Sequence, residues 1–128
     1  MMQGQHLFEY AIIRLVPRVE REEFINVGVI MFCKQQHFLK AKVKIDTAKL
    51  LVLDKDLDIE ELNSNLNALT AICDGQQSAS AIVGLDAPSR FRWLTATRST
   101  VVQCSKVHPG FCEDLDVKLN KIFEEMVL

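Results

Sequence analysis

An excess of positive charge is the first thing this 128-residue sequence lacks: fifteen lysines and arginines stand against seventeen aspartates and glutamates, for a formal charge of −2. A net field of that sign gives no basis for non-specific binding to nucleic acid or to an anionic membrane surface, so any anion site must be local. No apolar run approaches the roughly 20 residues that span a bilayer, and the N-terminal MMQGQHLFEY has neither a basic n-region nor an apolar h-region. Neither secretion nor membrane insertion is expected, and the expected location is the cytoplasm. The four cysteines, Cys33, Cys73, Cys104 and Cys112, include no CxxC pair, which fits reduced core thiols. Cys104, His108 and Cys112 are evenly spaced. Three ligands in one loop would still need a fourth from elsewhere, so no metal and no cofactor is expected. Also absent are a Gly-rich phosphate loop, a G-x-S-x-G elbow, an H-E-x-x-H helix, internal repeats, low-complexity tracts and linkers.

What is present is an ordinary globular mixture, 48% hydrophobic and 25% charged, which argues against intrinsic disorder. The length suits a single domain over residues 1–128, able to bury about two thirds of its unfolded surface. Apolar and β-branched residues from His6 to Pro17 predict a long strand, and a second is expected from Phe24 to Lys34. His37 to Ile45 shows the cleanest alternation, with Lys40, Lys42 and Lys44 on one face. Three strands in succession predict an antiparallel meander.

A short helix is expected around Ala48 to Leu53. A longer one over 58–73 is capped by Asp58, with Glu61 completing a capping box, Ile59, Leu62, Leu66, Leu69 and Cys73 forming a stripe, and Gly75 as the stop. The stretch from Gln76 to Ala87 is weakly patterned. Asp86 and Pro88 mark a helix start, with Phe91 and Leu94 on one face and an end near Ala96. Arg98 to Cys104 reads as a fourth strand and Lys106 to Glu113 as a loop. A closing helix over 114–127 presents Leu115, Leu119, Ile122 and Met126, with Phe123 beside them. The fold class is therefore α+β, an antiparallel sheet with an N-terminal meander and a later strand, packed with helices.

Register follows from burial. If Val16 faces Phe24, then Arg14 faces Asn26, Ile12 faces Gly28, Tyr10 faces Ile30 and Phe8 faces Phe32. Leu7, Ile13 and Leu15 then share a wholly apolar face with Val27, Val29, Met31 and Cys33. A three-residue turn next puts Lys44 beside Asn26 and Lys42 beside Gly28. The other face is then aromatic at one end (Phe8, Tyr10, Phe32), where a covering helix is expected, and cationic at the other. An interior glycine marks a bulge or a close approach, and beside Arg14 and Asn26 it suggests a notch lined by donors. Arg14 suits a phosphate or carboxylate there; alternatively it pairs with Glu22, Glu23 or a helix carboxylate. A second cluster, Arg90, Arg92, Trp93, Arg98, Ser99, Thr100 and His108, either binds an anion or a stacked base or is a surface patch around a core tryptophan.

The segments YAIIRLVPRVEREEFINVGVIMF and RFRWLTATRSTVVQ, with the later VHPG, resemble the bacterial domain-of-unknown-function family numbered 3037. Arg14, Pro17, Glu23, Asn26, Gly28, Arg92, Trp93, Leu94, Arg98, Ser99, His108 and Gly110 carry the resemblance across nearly the whole chain. It implies a natural cytosolic protein and no particular activity. It also implies a HipA-like kinase, or another cytosolic protein, as a partner.

Three functions compete. The first is a non-catalytic binding or regulatory module that contacts a partner protein or small anion through Arg14, Asn26, Gly28, Arg92, Arg98, Ser99 and His108. The second is an enzyme acting on a phosphate-containing substrate, a nuclease or phosphotransfer accessory with Glu23 as base and His108 as acid. The third, nucleic-acid binding through the lysine face and Trp93, is disfavoured by the net charge.

Overall fold

A computed structural model describes residues 4–75, 85–96 and 101–128. The meander is present: β1 (His6–Leu15), β2 (Ile25–Cys33) and β3 (Phe38–Val43) pair antiparallel in that order. The short helix α1 (Thr47–Leu53) and the longer α2 (Ile59–Asp74) follow, then α3 (Ala87–Thr95). Two further strands, β4 (Val102–Cys104) and β5 (His108–Cys112), both pair with the free edge of β1. Helix α4 (Leu115–Met126) closes the chain. Each of these helices starts the same way: Asp46, Asp58, Asp86 and Asp114 accept from the backbone N–H three residues on, filling one of the donors that a helix start leaves open. Gly75 ends α2 in the left-handed region, φ 70°. The capping box expected at Glu61 is half made: its N–H reaches Asp58 Oδ1 at 3.1 Å, and among the described residues its carboxylate makes no return bond to the Asp58 backbone.

Lys106 to Glu113 is not a loop. Five of its residues form β5, which runs beside β1 from Tyr10–His108 to His6–Cys112. Pro109 and Gly110 suggested a turn, but β5 is an edge strand, where a missing N–H can face solvent. Gly110 is needed because a Cβ there would sit 2.5 Å from the Phe8 ring. Between β4 and β5, Ser105 keeps the ladder going: its N–H donates to Ile12 O (2.8 Å) and its hydroxyl accepts from Ile12 N (2.8 Å).

The expected register holds only at one end. Arg14 faces Asn26 and Leu15 faces Ile25, but Ile13 faces Gly28 and Tyr10 faces Met31. Val27 is the extra residue of a bulge, and beyond it β2 is turned over relative to β1. Val29, Met31 and Cys33 therefore pack with Phe8, Ile12, Leu115, Leu119, Ile122 and Phe123 under α4. Ile30 and Phe32 join Ala11, Ile13, Leu15, Val27, Leu62, Leu66 and Phe91 under α2 and α3. Phe32 thus leaves the aromatic end and stacks on Phe91, centroids 5.2 Å apart. The turn between β2 and β3 spans four residues rather than three, with His37 at φ 49° and Cys33 facing Phe38. Lys42 consequently faces Val29, not Gly28. Both faces of the sheet are buried, which explains why β2 is apolar at every position from Val27 to Cys33. Met126, expected in the α4 stripe, is 45% exposed, and Leu7, on the α2 side, is 51% exposed beyond the reach of the helices.

Candidate basic site at the sheet end

The bulge decides what surrounds Arg14. A Cβ on Gly28 would meet Lys42 O at 2.7 Å, a Val43 methyl at 2.7 Å and Ile13 at 3.2 Å. Gly28 therefore admits the neighbouring strand and the α2-side core, and does not open a notch beside Arg14 and Asn26. Those two residues remain cross-strand neighbours on the α4 side. The Arg14 guanidinium lies over the half-exposed ring of Phe24, 4.2 Å from its centroid. Among the described residues it has no carboxylate partner, neither Glu22 nor Glu23 nor a helix acid. Its Nε is buried without a hydrogen bond, and so is Asn26 Oδ1; Asn26 Nδ2 donates to Met126 O at 3.0 Å.

The three lysines of the β3 region separate by role. Lys40 pairs with Asp116 (2.7 Å), and Lys42 donates to Asn120 (2.7 Å) while covering the Phe123 ring, so both fasten α4 to the sheet. Lys44 has no such partner among the described residues. With Lys49 it lines a cavity of about 320 Å³ together with Ile25, Asn26, Val27, Asp46, Val127 and Leu128. Asp46 is the acid among the described lining residues, and its carboxylate already accepts from Lys49 N at 3.2 Å. Neither lysine has an ion-pair partner among the described residues. Lys44 and Lys49 thus share this cavity with Asn26 and with one carboxylate, Asp46, that pairs with neither of them, and Arg14 faces Asn26 across the strands. Lys49 reaches this cavity from α1, three residues after the Asp46 cap, a spacing that is the one local signal of its place.

The second cluster is divided. Arg92 forms a two-point pair with Glu9, 2.9 and 3.0 Å, on the α2–α3 side of the sheet. His108 is exposed beside Tyr10 on the α4 side, ring centroids 5.4 Å apart. Arg92 and His108 are therefore not one site, and neither joins Arg14. Arg98 and Ser99 lie outside the described residues, as does Thr100. Glu23 precedes the Leu15–Ile25 end of the sheet while His108 faces Tyr10 across the opposite edge of β1. At the usual strand rise that is roughly 17 Å or more along β1. A proton relay between Glu23 and His108 has no support in this arrangement. Cys104 packs with the α2-side core and Cys112 with the α4-side core, on opposite faces. Among the described residues no group of three or more His, Cys, Asp or Glu could hold a metal, and no helix is long and apolar enough to cross a membrane.

The fold and this site define an α+β protein with helices on both faces of an antiparallel sheet and a cationic cavity at one sheet end. The chain belongs to the family described as a protein of unknown function, DUF3037, whose model matches residues 10–127. No curated protein and no solved structure matches it.

Proposed function

We propose that this chain is a non-catalytic binding module that takes a phosphate-bearing anion between Asn26, Lys44 and Lys49, with Arg14 alongside. The observation that carries the reading is the cavity of about 320 Å³ lined by two lysines that have no ion-pair partner among the described residues, with Asp46 the one acid among the described lining residues. Lys44 and Lys49 are both exposed and hydrated, and what favours an anion is the excess of cations over carboxylates at a concave polar site. The orphaned atoms narrow the class. Arg14 Nε needs an acceptor and Asn26 Oδ1 needs a donor; both residues are only half-buried. Hydrogen phosphate supplies an acceptor and an O–H, whereas sulfate at neutral pH supplies acceptors alone. Where the phosphate belongs to a larger partner, the family resemblance makes a HipA-like kinase the first to test.

Calorimetric titration at low ionic strength with phosphate and with sulfate tests this. Phosphate should bind saturably and more tightly than sulfate, and Lys44→Ala with Lys49→Ala should abolish binding. Arg14→Ala should weaken it severalfold while the melting temperature stays within a few degrees. Absence of saturable phosphate binding to the native protein, or unfolding by Arg14→Ala, would reduce the cluster to a structural role.

A further inference from the structure

Inorganic phosphate alone leaves much of the basic cavity unused. Phosphate is polar on every side, yet Ile25, Val27, Val127 and Leu128 give the cavity apolar walls. Its volume of about 320 Å³ falls at the lower end of the roughly 300–1,000 Å³ of small-molecule sites, where apolar walls and a few convergent polar groups hold an organic ligand.

Asp46 is out of place in a site for a bare anion, which its carboxylate repels. Its Oδ1 accepts from Lys49 N at 3.2 Å, and among the described residues Oδ2 has no partner. An ionised carboxylate only accepts hydrogen bonds and has room for several. Beside a phosphate it therefore calls for a donor on the same ligand, such as a sugar hydroxyl. A hydroxyl is equally the donor that Asn26 Oδ1 lacks.

The rim adds an aromatic surface. Phe24 immediately precedes β2 and stands two residues before Asn26. Arg14, which faces Asn26 across the strands, lays its guanidinium over the Phe24 ring, 4.2 Å from the centroid. That contact holds the ring on the Asn26 side of the sheet. Phe24 is 47% exposed, and no other described aromatic ring lies against it. A half-exposed ring backed by a cation is a platform on which a nucleobase stacks. Residues two apart in an extended chain stand roughly 7 Å apart. A ligand with its charged group beside Asn26 therefore needs a spacer before its own ring meets Phe24.

We infer, building on the phosphate reading above, that the ligand is a nucleoside monophosphate. Its phosphate sits between Lys44 and Lys49, its ribose lies against the apolar walls with hydroxyls toward Asp46 and Asn26, and its base stacks on Phe24. The sugar, with phosphate and base at opposite ends, is the spacer. Phenyl phosphate, whose ring is attached to the ester oxygen, lacks that reach.

Calorimetric titration of the native protein with phosphate, ribose 5-phosphate, phenyl phosphate and adenosine 5′-monophosphate reads each contribution in turn. The nucleotide should bind tightest, ribose 5-phosphate next and phosphate more weakly, and phenyl phosphate should gain nothing over phosphate. Phe24→Leu, which keeps an apolar side chain at a half-exposed position, should weaken the nucleotide roughly fivefold or more. It should leave ribose 5-phosphate unchanged, with an unaltered melting curve as the folding control. Equal affinity of the nucleotide and ribose 5-phosphate for the native protein would overturn the inference and leave the phosphate site standing. So would nucleotide binding untouched by Phe24→Leu, or phenyl phosphate matching the nucleotide. The lack of saturable binding by phosphate and by all three esters would instead overturn the phosphate reading itself.

Discussion

Glycine at position 28 is held by neighbouring atoms rather than by a ligand. A methyl group there would stand 2.7 Å from a backbone oxygen of β3 as well as from Val43, and a backbone atom cannot swing away as a flexible side chain can. Gly28→Ala should therefore destabilise the protein by about 1–3 kcal/mol through overpacking, read as a lower urea midpoint. Phosphate affinity of the folded fraction should be unchanged, since the Cβ would point toward α2 and away from Arg14. The residue type told its story only in part. An interior glycine next to Arg14 and Asn26 signals either a bulge or a ligand approach, and the two readings send the missing side chain to opposite faces. Only the position of Val27 as the extra residue distinguishes them. Arg14 has a similar history: a strand arginine ordinarily finds an acid, yet Glu23 pairs with Arg21 instead, leaving Arg14 to the Phe24 ring.

Among the elements, α4 depends most on long-range packing. Leu115, Leu119, Ile122 and Phe123 are its buried residues, and Lys40 and Lys42 hold its outer rim. Leu119 is 2% exposed, so Leu119→Ala should cost about 2–5 kcal/mol, whereas Asp114→Ala, which removes only the cap, should cost about 1 kcal/mol. Guanidinium unfolding of the two variants checks the ranking; equal losses would mean that α4 is held mainly by its own helix formation. Sequence located the helices well because their signals are local: an aspartate cap, an apolar stripe at helical spacing, and Gly75 as the stop of α2. Strands fared unevenly. β5 was hidden because Pro109 and Gly110 are turn residues by local preference, and their tolerance depends on the strand being an edge and on the Phe8 ring beneath it. The lysines came out on the correct face through two offsetting departures, the bulge at Val27 and the four-residue turn before Phe38. Each shifts the alternation by one residue.

Across the whole molecule, two cores on opposite faces of one sheet keep thiols protonated. Burial, and secondarily Asp74, pushes the Cys73 thiol up to about 12 from the ordinary 9.0. Burial, then Cys33, moves Cys112 in the same direction. Between pH 9 and 12 the folded chain retains a proton at Cys73 that the unfolded chain has lost. That contribution to stability is complete below pH 9.0 and declines as pH climbs toward about 12. Urea midpoints should accordingly fall from about pH 8 to about pH 10, and fall less in Cys73→Ala. An identical decline in both proteins would assign the alkaline sensitivity to other groups.

Composition, periodicity and capping residues by themselves determined the α+β class, the meander, the helices and the pairing of Arg14 with Asn26, because each rests on contacts between residues close in the chain or on simple alternation. The tertiary structure alone decided three things: that Gly28 belongs to the core side, that Lys40 and Lys42 are spent on α4 while Lys44 joins Lys49, and that Arg92 and His108 lie on opposite faces. Each depends on a one-residue shift of register or on a helix arriving from far along the chain. A strand's side chains change face at every step, so a single bulge redirects half a strand without altering its hydrophobic pattern.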